Sequence, residues 1–187
     1  MNISASILKL FGWKVELSTP NFPKSIICVA PHTSNWDFIL GELAIHSVGR
    51  KSGFLMKASW FFFPLNIIFK SMGGVPVPRK KKGTSITSAI IDQFNNSEEL
   101  TIAITPEGTR KRVDQWRTGF LHIAYGANIP VQLAAIDFKN KTVFLNKYII
   151  PTGDIINDIN NIKEYYKNLG VEGKYPERFS TAKQENK

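Results

Sequence analysis

A single cysteine and three histidines in 187 residues leave no material for a disulfide framework and little for a multi-ligand metal centre. Cys28 lies inside the apolar run Ile26 to Ala30 and has no partner for an internal bridge, so it reads as a buried structural thiol in a chain suited to a reducing compartment. His46 and His122 have no other ligand-type residue at useful spacing and read as core or surface histidines; no metal is expected. The chain also lacks a repeat, a low-complexity block and an obvious linker, which argues for one domain over residues 1–187. No stretch supplies the roughly 20 mostly apolar residues of a spanning helix. The longest apolar segment, 54–72, is interrupted by Lys57, Pro64, Asn66 and Lys70. The amino terminus, MNISASILKLFGWKVE, has neither a basic leader before its apolar residues nor a clear small-residue cleavage site, so a secretory signal is not expected. Acidic residues are few: 15 Asp and Glu against 24 Lys and Arg leave a formal charge of +9, which favours an anionic partner. Nucleic acid is not that partner by this reading, because no basic stripe interleaved with stacking aromatics is visible.

Short apolar runs alternate with amphipathic stretches, the pattern of an α/β layer fold. Ser25 to Ala30, Gly53 to Met56, Leu100 to Thr105 and Pro130 to Ile136 read as buried strands, and Val143 to Tyr148 as an edge strand. Trp36 to Val48, Thr84 to Asn95, Thr118 to Ala127 and Asp154 to Leu169 read as helices. The expected architecture is a single-domain layered α/β sandwich, with a mostly parallel or mixed central sheet flanked by helices. An amphipathic helix within residues 1–20, carrying Ile3, Ile7, Leu8, Leu10 and Phe11, either docks on the core or lies in a membrane interface, and residues 181–187 form a polar tail. In an open sheet of this kind, ligands collect beyond the carboxyl ends of the strands.

Unusual residues gather on three strand-to-helix loops. After the first buried strand, VAPHTSNWDF places His32 and Asp37 five residues apart. In one continuous helix, five residues would rotate the side chains by roughly 500° and leave them pointing apart. With His32 on the loop and Asp37 in the first helical turn, the carboxylate instead folds back to the imidazole, as a base and its orienter require. The same residues also satisfy a simpler need, since Ser34 to Asp37 matches a capping box. The second loop, Gly73 to Lys82, combines two glycines, two prolines and four consecutive cations; Arg79 offers a planar fork to an anion, and a solvated basic turn is the alternative. The third, Thr105 to Arg110, reads as a tight Gly108 turn whose Glu107, Thr109 and Arg110 can bind hydroxyls or phosphate, or as an ordinary surface turn.

Taken together and in order, His32 with Asp37, Gly73 to Arg79, Pro106 to Arg110 and the strand start Ile129-Pro130-Val131 closely resemble the four sequence blocks of the glycerolipid acyltransferase superfamily, which includes 1-acylglycerol-3-phosphate acyltransferases. The resemblance spans about Val29 to Ile136. It implies a glycerol-3-phosphate acyltransferase-like fold in which His32 is the general base, Asp37 its orienter, and Arg79, Glu107, Gly108, Thr109 and Arg110 hold the acceptor's head group. The implied donor is an acyl-CoA or acyl carrier protein thioester, used without a further cofactor, and the acceptor a lysophospholipid or glycerol-phosphate-like alcohol. A different lyso-lipid, an amine acceptor, or a catalytically silent lipid-binding role stay open. The chain departs from the family pattern at Pro31, Pro76, Thr105 and Lys111, positions that shape the acceptor pocket more than the base.

Lipid products raise the question of membrane access. Trp60 to Phe63, flanked by Lys57, Lys70 and the cations 79–82, suits an anionic bilayer surface or the underside of a core. The expected location is cytoplasmic, peripheral to the inner face of the membrane. Trp13, Trp116 and Phe120 read as packing residues, with Trp116-Arg117 also placed to line the acyl or acceptor site.

Overall fold

The computed structural model describes residues 2–57, 59, 61–67, 73–77 and 85–185. In chain order the elements are α1 (Ile3–Leu10), β1 (Lys14–Leu17), β2 (Lys24–Val29), α2 (Trp36–Ser47), β3 (Gly53–Lys57), β4 (Gly74–Val77), α3 (Ile86–Asn95), β5 (Leu100–Ile104), α4 (Gly119–Gly126), β6 (Val131–Asp137), β7 (Thr142–Ile149) and α5 (Ile155–Leu169), followed by a 3₁₀ turn, Pro176–Arg178. The strands form one sheet in the order β1-β7-β6-β2-β5-β3-β4. β6 through β4 run parallel, while β7 is antiparallel to β6 and carries β1 parallel beside it, so the sheet is mixed.

Alternation along the central strands sends successive side chains to opposite faces. Ile26 and Cys28 of β2 face a large core with Ile90 and Phe94 of α3, Phe120 and Leu121 of α4, and Ile159 and Ile162 of α5. Ile27 of β2 faces the other side, where Ile45 of α2, Ala134 and Leu145 pack. Leu8 of α1 joins Leu40 and Ala44 of α2 over Ile136 and Val143. Each fully buried Leu, Ile or Phe in these clusters contributes about 1.5 to 3 kcal/mol relative to exposure. The Asn2 side chain caps α1 by accepting from the N–H groups of Ser4 and Ala5, and donates to His46 O at 2.6 Å, which ties α1 to the end of α2.

Two strands differ from the sequence reading. Val143 to Tyr148 is not at an edge: β7 lies between β6 and β1, because the short Lys14–Leu17 strand adds outside it. Gly74–Val77 forms the opposite edge, where Pro76, which has no N–H to donate, is tolerated. Among the described residues, no helix is long and apolar enough to cross a membrane. Of the segment 54–72, Phe62, Phe63 and Ile67 face outward, while Trp60 and residues 68–72 lie outside the described residues.

Candidate active site

β2 and β5 are neighbouring parallel strands, so the loops leaving their carboxyl ends adjoin. The first loop carries His32. Asp37, 3 % exposed at the start of α2, turns its carboxylate back over the loop: Oδ2 accepts from the N–H groups of Thr33 and Ser34 at 2.7 and 2.9 Å, and Oδ1 accepts from the Ser34 hydroxyl at 3.0 Å. The same Oδ2 lies 3.1 Å from His32 Nδ1. The ring nitrogen is buried and angled off the carboxylate, without an aligned hydrogen bond. Asn35 occupies the N-cap without a side-chain capping bond, so the capping and the facing of His32 both fall to Asp37 and Ser34.

The loop after β5 reaches under the His32 loop. Glu107 is 3 % exposed, and its Oε1 accepts the backbone N–H of His32 at 2.6 Å. Burial pushes the Glu107 carboxyl up to about 8, opposed by that N–H bond and aided by the charge of Asp37. It therefore holds a proton at neutral pH. Arg110 is exposed and donates to Asn35 Oδ1, a second tie between the loops. Thr109 is half-buried, its hydroxyl 3.4 Å from the Lys111 N–H. Gly108 has φ +66°, a left-handed backbone that favours glycine, and a Cβ there would come within 2.7 Å of Arg117 Cδ, so the Arg117 side chain would have to move aside. Arg79 lies outside the described residues.

A cavity of about 440 Å³ opens from this junction and runs between α2 and the sheet. His32, Asn35, Asp37 and Thr105 stand at one end, and most of the wall is apolar, including Val29, Phe38, Ile45, Phe54 and Leu145. This is the shape of a site for an apolar chain that presents one polar end to a base.

A family model described as Acyltransferase matches residues 14–137. The chain belongs to this acyltransferase family. Among solved structures, the crystal structure of the 1-acyl-sn-glycerophosphate (LPA) acyltransferase PlsC from Thermotoga maritima is similar in fold, with a TM-score of 0.61 and 16 % identity over 92 % of this chain and 78 % of that chain. No curated protein matches the sequence.

In this acyltransferase the carboxyl-terminal residues beyond the matched region also reach the site. Gly173 packs so closely on the His32 loop that a Cβ would meet Thr33 Oγ1 at 2.8 Å. Tyr175 N–H donates to Thr33 Oγ1 at 3.3 Å, and Arg178 Nη1 to Thr33 O at 3.3 Å. Lys174 Nζ sits 5.2 Å from the centre of the Trp36 ring. Sequence reasoning passed over these residues, because no spacing connects positions 173–178 with position 33. Trp116 is buried, donating its indole N–H to Ser180 O at 3.1 Å, while Arg117 is exposed against Gly108 with its N–H on Pro106 O at 2.7 Å. Arg117 thus borders the site and Trp116 does not. His122 is exposed on α4, and His46 Nε2 lies 3.9 Å from Glu42 Oε2.

Proposed function

We propose that this acyltransferase moves a fatty acyl group from a thioester, acyl-CoA or an acyl carrier protein, to the hydroxyl of a lysophospholipid or glycerol-phosphate-like acceptor. The observation that carries the reading is the apolar cavity that ends on His32 and Asp37. A long acyl chain lies in the cavity with its carbonyl beside the imidazole. His32 Nδ1 is buried toward Asp37, which leaves Nε2 as the base facing the substrates. Nε2 takes the acceptor's hydroxyl proton as the oxygen attacks the thioester carbonyl; a C–O bond forms, the C–S bond breaks, and the imidazolium returns the proton to the leaving thiolate. Asp37 fixes the ring and stabilises its protonated form. Most of the catalytic gain comes from holding two substrates in line, since a thioester is already reactive.

Arg110 and Arg79 are the cations offered to the acceptor's phosphate, with Thr109 and the Gly108 backbone beside them. Glu107 acts through His32, by holding its backbone N–H, and is a positioning residue. The acceptor is delivered from a bilayer with anionic head groups. Exposed apolar side chains on α1 (Ile3, Leu10, Phe11), on the first turn of α2 (Trp36, Phe38, Ile39) and at Phe62, Phe63 and Ile67 suit insertion at the interface, with Lys9 and Lys174 beside them for the lipid phosphates. On this reading the protein works peripherally, at the cytoplasmic face of the membrane.

Free-thiol release from a long-chain acyl-CoA, with lysophosphatidate vesicles present or absent, tests the reaction. Release is expected only with acceptor, and only with His32 intact. Thiol release that ignores the acceptor, or silence with acyl-CoA and acyl carrier protein donors alike, contradicts it.

A further inference from the structure

The wall of the cavity is not uniformly apolar away from its catalytic end. Glu42 of α2 and Ser52, just before β3, both line it. Glu42 lies about 7.5 Å farther along the α2 axis than Asp37 and, with the Asp37 carboxylate turned back over the His32 loop, lines the same cavity, so an acyl chain leaving the His32 end passes the Glu42 carboxyl after its first several carbons. The internal partners of Glu42 are poor. Ser52, 8 % exposed, places its hydroxyl 3.4 Å from Glu42 Oε1, longer than the roughly 2.5 to 3.0 Å of a well-formed O–H···O bond. On the other side, His46 Nε2 is 3.9 Å from Oε2 and belongs to a side chain that is 53 % exposed. Partial burial already raises the Glu42 carboxyl above its ordinary pKa, with His46 and Ser52 only partly offsetting it.

An unsubstituted hydrocarbon laid along this wall strips water from the carboxyl and from the Ser52 hydroxyl and returns nothing, which is costly for buried polar groups. A hydroxyl on the chain gives Glu42 a donor and Ser52 a partner, and these bonds replace the ones that the hydroxyl, the carboxyl and Ser52 give up to water. We propose that Glu42 and Ser52 make the cavity select an acyl chain bearing a hydroxyl group along its length. The inference rests on the acyl-transfer reading and names the donor class of that same site. Capture of the carboxyl by His46 alone does not replace it, since that contact engages Oε2 and leaves Oε1 toward Ser52.

The test is an internal competition on the full-length protein. Two CoA thioesters of equal chain length, one plain and one with a mid-chain hydroxyl, compete for lysophosphatidate in vesicles, and mass spectrometry reads the product ratio. Wild type is expected to favour the hydroxylated donor about ten-fold, the size of one well-made hydrogen bond. Glu42→Leu reverses the preference, Ser52→Ala weakens it, and Glu42→Gln, which still offers a carbonyl oxygen, retains most of it. The glutamine and alanine variants keep the test decisive if the leucine variant folds poorly. Equal products from the two donors in wild type, or a ratio that Glu42→Leu and Ser52→Ala leave unmoved, overturn the proposal while acyl transfer stands. No product from either donor overturns the acyl-transfer reading, and this inference with it.

Discussion

The Glu107 carboxyl holds the His32 N–H at 2.6 Å while burial pushes its own pKa up to about 8, from an ordinary value of 4.5. The folded chain therefore binds this proton more tightly than the unfolded chain does. Its contribution to stability is complete below pH 4.5, declines as pH rises, and is gone above about pH 8. Thermal melts between pH 5 and 8 should show wild type losing stability across that window and Glu107→Gln losing less; parallel slopes would refute the assignment. Gly108→Ala forces a β-carbon into left-handed backbone against Arg117, and should cost about 1 to 2 kcal/mol in a denaturant titration. Much at this scale was legible in the sequence. A histidine and an aspartate five residues apart meet only across a turn, and the pair lies 3.1 Å apart. That Glu107 grips the His32 backbone was not legible, because it depends on β2 and β5 being neighbours.

At the scale of elements, the buried central strands were readable because apolar runs covered on both faces are hard to mistake. Lys14–Leu17 and Gly74–Val77 were missed because four residues, one pair half polar and the other holding a proline, give too little pattern to count. The edge place expected for β7 followed from that omission. Residues 181–187 were read as a polar tail, yet the polarity of Gln184 serves local pairing. The Gln184 amide accepts from Trp116 N–H at 2.8 Å and donates to Trp116 O at 3.1 Å, and its backbone pairs with Asn160. Lys163, buried on α5, donates to Asp114 O and Ala182 O at 2.5 and 2.8 Å, drawing the tail and the loop before α4 together. Gln184→Ala strands two buried backbone groups and should destabilise by about 1 to 3 kcal/mol. A melting temperature equal to wild type would show that the tail does not brace the loop.

For the whole molecule, the proposed membrane contact draws on the net charge of +9 and on the outward apolar side chains of α1, α2 and residues 62–67. Cosedimentation with anionic vesicles should fall several-fold for Leu10→Asp combined with Phe63→Asp, and wild-type binding should weaken as added salt shortens the Debye length below about 8 to 10 Å. Binding indifferent to both changes would place the lipid contact elsewhere. Composition supplies only the net charge on which the proposed anionic contact rests, while the folded chain shows which apolar residues stay outside. The central claim, acyl transfer at His32, is tested most directly by mass spectrometry of lipid recovered from lysophosphatidate vesicles after incubation with an isotope-labelled acyl thioester, comparing wild type with a His32→Ala protein of matched melting temperature. The labelled acyl chain should appear in ester linkage on the acceptor with wild type and fall by at least two orders of magnitude in the variant. Labelled ester formed equally by both proteins would contradict the account.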